Sequence, residues 1–289
     1  MTPAEMIILV LRASVIAMVF AIGLSVSLSD LTLLVVRRPG LLLRSLVSIF
    51  PVMLLAATGL AVLANLRRPV EIVIVALALA PIPPLLPKKQ AKAGGETDYI
   101  YGLLVAAALF SIIWIPLAIQ FVSWVAGRDL CAHLSDVAGI AFVMLLAPVT
   151  AGALVAGFAP AFAATIRTPI ARLASVVLLA GLALMIVRAS QQILDLIGDG
   201  TLLAFAGFVA VGLVSGQLLG GPRAEDRSVL ALATASRHPG IAYALASLNF
   251  PQEKSVAAAV LLYLLVSAIL TLPYVAWRRH SGAATLLQA

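Results

Sequence analysis

Read from its N-terminus, the chain alternates apolar runs of about twenty residues with short polar connections. An α-helix needs roughly 20 apolar residues to cross the hydrocarbon layer of a bilayer, so each run has the length of a crossing. The pattern predicts spans near 7–28, 43–65, 70–93, 99–126, 136–158, 170–190, 201–220, 228–250 and 255–277, nine in all. Most connections are shorter than fifteen residues, which makes consecutive spans neighbours in space. Seven of the nine read as continuous helices, some kinked by a proline such as Pro116 or Pro148, which membrane helices tolerate.

The other two spans are interrupted. Residues 70–93 contain "APIPPLLPKKQAK", in which Pro81, Pro83, Pro84 and Pro87 remove backbone donors just ahead of Lys88, Lys89 and Lys92. Residues 228–250 contain "ATASRHPGIAYALASL", where Pro239 and Gly240 break the helix directly after Arg237 and His238. Lipid cannot satisfy the backbone groups that such breaks expose, so they persist only inside protein or along a wet cavity. A pair of Pro/Gly-interrupted spans in the two halves of a chain is a sequence pointer to a transporter's binding site. The half-helices would turn free N–H groups and positive dipole ends toward the membrane interior.

Composition reinforces the membrane reading. The chain is 63% hydrophobic and 11% charged, with a mean hydropathy of +1.13, against roughly 45–50% and about 25% in soluble domains. An all-α polytopic membrane protein follows, with the lipid bilayer as its surroundings. The net charge of +7 does not indicate nucleic acid, because the basic residues sit mainly in short connections rather than in an aromatic-interleaved strip. Cys131 is the single cysteine, and His133, His238 and His280 are far apart with no H-E-x-x-H. No metal site, cofactor or enzymatic nucleophile–base pair is therefore expected. The N-terminus lacks a signal peptide's basic start and reads as a retained first helix.

With the N-terminus outside, nine of the 19 basic residues fall on the cytoplasmic side, six fall outside, and four lie within the interrupted spans. That excess places the C-terminus in the cytoplasm. Only Lys88, Lys89, Lys92 and Lys254 are lysines, an arginine bias common in GC-rich genomes, so a bacterial inner membrane is expected.

A buried Lys or Arg at a helix centre costs roughly 2.5–3.5 kcal/mol to insert, so those four cations need water, acids or an anion. Candidate substrate-binding residues are Lys88, Lys89, Arg237, His238, Ser236 and Thr234; the helix breaks are Pro83, Pro84, Pro87, Pro239 and Gly240. His238, titrating near neutrality, and Glu96, close to the lysines, are candidate proton carriers. Three blander readings stay open. "PKKQAKAGGETD" could form a solvated loop, "SRHPG" an interfacial turn, and Arg237 a structural pin on orphan carbonyls.

The stretch "GLSVSLSDLTLLVVRRPGLLLRSLVSIFPVMLLAATGLAVLANLRRPVEI" (23–72) resembles the early part of the bile acid:sodium symporter family. There a G-L-x-L…D helix end is followed by a basic-Pro loop and a helix with a mid-span proline. The likeness continues through the first interrupted span and resumes at 136–158 and 225–277. It implies two inverted repeats, here 4+5 helices with the family's first helix missing, and two discontinuous helices crossing near mid-membrane. It also implies a panel (approximately 7–28 and 136–190) and a core (approximately 43–126 and 201–277).

The departures from the family bear on mechanism. Lys88 and Lys89 fall on the Ser-Asn of the family's P-G-G-x-x-S-N, with Pro83 on its proline. Ala233, Arg237 and His238 fall on the Glu, Gln and Asn of its E-x-G-x-Q-N. The resemblance assigns sodium ligands to the Ser, Asn, Glu and Gln of these motifs. Sodium prefers oxygen ligands, with a carboxylate among them. This chain removes the carboxylate and adds fixed cations. The expectation is a secondary transporter of a small organic anion, working by alternating access and coupled to protons or uncoupled. The alternatives are a non-transporting relative acting as sensor or membrane partner, and a sodium symporter with relocated ion sites.

Overall fold

The computed structural model describes residues 3–25, 33–127, 130, 139 and 142–286. Cys131, His133 and the predicted span ends at 26–28 and 136–138 lie outside the described residues. The described chain is all-helical. Its elements are α1 (Pro3–Gly23), α2 (Pro39–Leu63), α3 (Arg68–Leu79), α4 (Leu86–Lys92), α5 (Thr97–Ala126) and α6 (Phe142–Phe158). After these come α7 (Pro160–Arg188), the short α8 (Ser190–Asp195), α9 (Thr201–Leu219), α10 (Ala224–Ala235), α11 (Pro239–Asn249) and α12 (Val256–Leu286).

Among the described residues, five helices are long and apolar enough to cross a membrane unbroken: α2, α5, α7, α9 and α12. Two shorter apolar stretches lie within α1 and α6. The α3–α4 and α10–α11 pairs are the two interrupted segments. Large apolar side chains such as Leu173, Val176, Leu179 and Val187 on α7 face outward. In water such a surface would be an aggregation patch; in lipid it is the expected exterior. The molecule is a polytopic integral membrane protein.

Boundaries differ most from the sequence pattern in two places. The helix predicted at 170–190 begins at Pro160 and runs through Pro169. A proline-containing turn flanked by Arg167 and Arg172 reads as a connection by composition, yet the helix continues through it. The last helix likewise continues past residue 277 to Leu286. In α2, Pro51 cannot donate to the carbonyl one turn back, and the helix widens to a π turn over Ser48–Val52.

Packing falls into two groups. α1 lies against α6 and α7, and the close approach at Gly23 and Gly152 leaves no room for a side chain on either. The other group is built around the interrupted segments. α3 packs on α2, α11 and α12, while α10 packs on α9 and α4. The tightest of these joins is α9 on α10. A Cβ on Gly212, Gly216 or Gly220 would collide with the α10 backbone or its first turn, so this small-xxx-small stripe sets the interhelical distance.

The half-helices themselves are the most enclosed elements. Ile72, Val73, Ile74 and Ala76–Leu79 of α3 are buried, as is every residue of α10 from Ser228 to Ala235. Helices that are apolar on all sides belong in an interior.

Ion pairs mark the two ends of the bundle. Arg38, just before α2, pairs with Glu96 at 2.9 Å and with Asp226, and Arg223 lies 3.8 Å from Glu96. Burial works against the Arg38 charge, but the hydrogen bond and charge of Asp226, with Glu96, outweigh it and raise its pKa. At the far end of α2, Arg67 pairs with Asp199 at 2.7 Å and Arg68 with Glu253 at 3.6 Å.

Candidate functional site

The site begins with missing donors. In an α-helix, the carbonyl of residue i accepts from the N–H of residue i+4. Pro81, Pro83 and Pro84 supply no N–H to the carbonyls of Leu77, Leu79 and Ala80, and Pro239 supplies none to that of Ala235. Both helix ends are buried, so these carbonyls need other partners.

The Leu77 carbonyl finds one across the crossover. Arg237 is 1% exposed; its Nε donates to the Leu77 carbonyl at 2.8 Å and its Nη2 to that of Ala78 at 2.6 Å. The guanidinium also lies over the Phe50 ring, 5.8 Å from its centroid, at the π turn of α2. Its Nη1 is buried with no hydrogen-bond partner. A cation at the C-terminal end of α3 is favoured by the helix dipole, and the two charge-assisted bonds offset much of its desolvation.

The second break is served from α12. The Tyr263 hydroxyl donates to the Ala235 carbonyl at 2.9 Å and accepts from the Arg237 backbone N–H at 3.0 Å. Its ring rests against Phe205 and Phe208 of α9.

Further bonds tie the two segments directly. The backbone N–H of His238 donates to the Pro81 carbonyl at 2.8 Å. Gln90 Nε2 of α4 donates to the Val229 carbonyl of α10 at 2.9 Å. Thr234 shares a hydroxyl hydrogen bond of 2.9 Å with Ser48. Ser236 is a buried, extended residue between the half-helices. The open reading of Arg237 as a pin on orphan carbonyls therefore describes its bonding.

His238 plays the part usually taken by Ser, Thr, Asp or Asn. Its Nδ1 accepts from the Ile241 N–H at 3.3 Å and caps α11. An accepting Nδ1 puts the proton of the neutral ring on Nε2, which is buried and unpartnered. Pro239 and Gly240 form the first turn of α11. Pro87 likewise opens α4 rather than breaking it, a position where proline is well tolerated; Pro81, Pro83 and Pro84 make the actual gap.

The structure separates the three cations expected at the crossover. Arg237 reaches α3, while Lys88 Nζ donates to Ser175 of α7 at 2.8 Å and Lys89 Nζ to Thr271 of α12. Lys88 and Lys92 are exposed and Lys89 is half-buried. Glu96 stands in the Arg38 ion-pair cluster, so the two proton-carrier candidates occupy different places. Lys88 alone of the expected ligands lines a cavity of about 470 Å³ between α1, α7, the first break and α5. Pro84 and Pro87 belong to its wall, and Arg167 and Arg172 of α7 bring two further guanidinium groups to it.

Those two arginines were not singled out from sequence, because Arg167 sits in what read as a connection and Arg172 at the edge of the predicted span, where both counted as cytoplasmic-side charges. The signal missed in α9 and its C-cap is the four-residue spacing Gly212-x-x-x-Gly216-x-x-x-Gly220.

Interrupted helices cross-bonded inside an all-helical, lipid-facing bundle define a membrane protein of the transporter class. The profile of the Sodium Bile acid symporter family matches residues 13–196. That is more than half of the chain, and the protein belongs to this family of membrane transporters. The match ends before α10 and α11, so the second interrupted segment lies beyond it. No curated protein matches the chain closely enough to add to this.

Proposed function

We propose that this chain carries a small organic anion across the membrane by alternating access, without sodium as its coupling ion. In this reading α1, α6 and α7 are the panel and the remaining helices the core, arranged as two inverted repeats. The observation that carries it is the 470 Å³ cavity between the α1–α7 group and the first break, with Lys88, Arg167 and Arg172 on its wall. Its volume is in the usual range for small ligands, about 300–1,000 Å³, and cations beside apolar walls suit an anion with a carbon skeleton.

The residues at the crossover do not fit sodium. Ala233 stands where the resemblance assigns a carboxylate ligand, and Arg237 holds the nearby carbonyls of Leu77 and Ala78. Coupling is then to protons or absent. The Arg38–Glu96 end, with its excess of arginine, is the cytoplasmic end of a bacterial inner-membrane protein, with the N-terminus outside. The cavity extends toward that end, with Thr97, next to Glu96, on its wall.

The cross-bonded breaks also suit a non-transporting relative locked in one state, and one experiment separates the two. Purified protein in liposomes is offered labelled small carboxylates, with sodium or potassium as the only external alkali cation. Protein-dependent uptake that is equal in the two salts is expected. Uptake that requires sodium would overturn the coupling assignment, and none above empty liposomes would favour the locked relative.

A further inference from the structure

The cavity's cations fall into two poles. Ser175, which accepts from Lys88 Nζ at 2.8 Å, is three residues beyond Arg172 and on the same face of α7. Lys88 and Arg172 thus share one pole. Arg167 is five residues earlier, about 7.5 Å along the helix axis and more than a quarter-turn around it. It lies within electrostatic reach of Tyr101 on the facing wall.

Among the described residues no Asp or Glu lines the cavity, and Met18, Ile22 and Leu85 add apolar groups to its wall. A monoanion would neutralise one pole and leave the other uncompensated in a confined, partly apolar space. One doubly charged group, such as a phosphate ester, would crowd both charges at one end.

We infer that the cavity selects a linear dicarboxylate, one acid group for Lys88 and Arg172 and the other for Arg167. This rests on the cavity being the substrate site, and it adds the charge and shape of the substrate.

The test uses glutarate and adipate against their monoamides, which keep the length and remove one charge. Binding to the purified protein in detergent is measured by isothermal titration calorimetry, with glycerol phosphate as the single-group dianion. One charge-assisted contact corresponds to about tenfold or more in affinity, so a diacid should bind that much tighter than its monoamide. Arg167→Gln and Arg172→Gln should each erase the difference; both side chains are exposed, so the fold does not depend on them. Lys88→Gln is the third variant, expected to weaken diacid binding.

Equal binding of diacid and monoamide, both weakened by Arg172→Gln, would overturn the dicarboxylate inference and leave the cavity as an anion site. Tighter binding of glycerol phosphate than of either diacid would overturn the two-pole reading alone. Diacid binding indifferent to all three substitutions, or no diacid binding, would overturn the inference, and the first of these would also move the substrate site elsewhere.

Discussion

Replacing Arg237 by Gln should unlock the crossover. The side chain makes two bonds to carbonyls, at 2.8 and 2.6 Å, and a cation–π contact at 5.8 Å. Bonds to charged groups contribute about 1.5–3 kcal/mol each, and a desolvated cation–π contact about 2 kcal/mol. Against them stands an insertion cost of about 2.5–3.5 kcal/mol for the charge itself. The balance is a net loss on the order of 3 kcal/mol, because Gln can reach at most one of the two carbonyls. For soluble domains of 150–250 residues that corresponds to a fall of about 6–12 °C in Tm. Thermal unfolding of detergent-solubilised protein, followed by circular dichroism or by loss of the monodisperse chromatographic peak, measures it. Arg237→Met should be at least as destabilising, since it satisfies neither carbonyl.

The proline argument supplies a sharper check. Pro81 is the reason the Leu77 carbonyl lacks its helical donor. Pro81→Ala returns an N–H at that position, so Arg237→Gln should cost less on a Pro81→Ala background, with a coupling of about 1 kcal/mol or more. Strictly additive effects, or an Arg237→Gln protein as stable as the wild type, would refute the claim that Arg237 substitutes for donors lost to proline.

Two other substitutions probe the packing and the ion pairs. Gly216→Leu should prevent α10 from seating on α9, because even a Cβ there collides with the backbone of Leu230 and Ala231; recovery of folded protein should collapse, whereas Gly207→Ala, with open space around it on the same helix, should be neutral or slightly stabilising. Arg38→Met should leave the Asp226 carboxylate, 2% exposed, without its main partner at a cost of about 3–5 kcal/mol; Arg38→Met combined with Asp226→Asn should recover a measurable part of that loss in the same unfolding assay.

Much of the architecture was legible in the apolar pattern. Runs of crossing length gave the order of the helices, and Pro81–Pro84 and Pro239–Gly240 marked both breaks. The placement of the cations was not legible. Lys88 and Lys89 are adjacent in sequence but leave α4 in different directions, to Ser175 and Thr271, because successive residues on a helix point about 100° apart. Pro169 hid the start of α7, and with it Arg167.

Sequence alone determined that this chain lies in a membrane and that two of its spans must break, since insertion and helix interruption depend on residues within one run. Which groups would rescue the broken ends was decided only by the tertiary structure. Arg237 meets Leu77 across 160 positions and Lys89 meets Thr271 across 182. Such partners are chosen by how the helices pack, and local composition carries no trace of them.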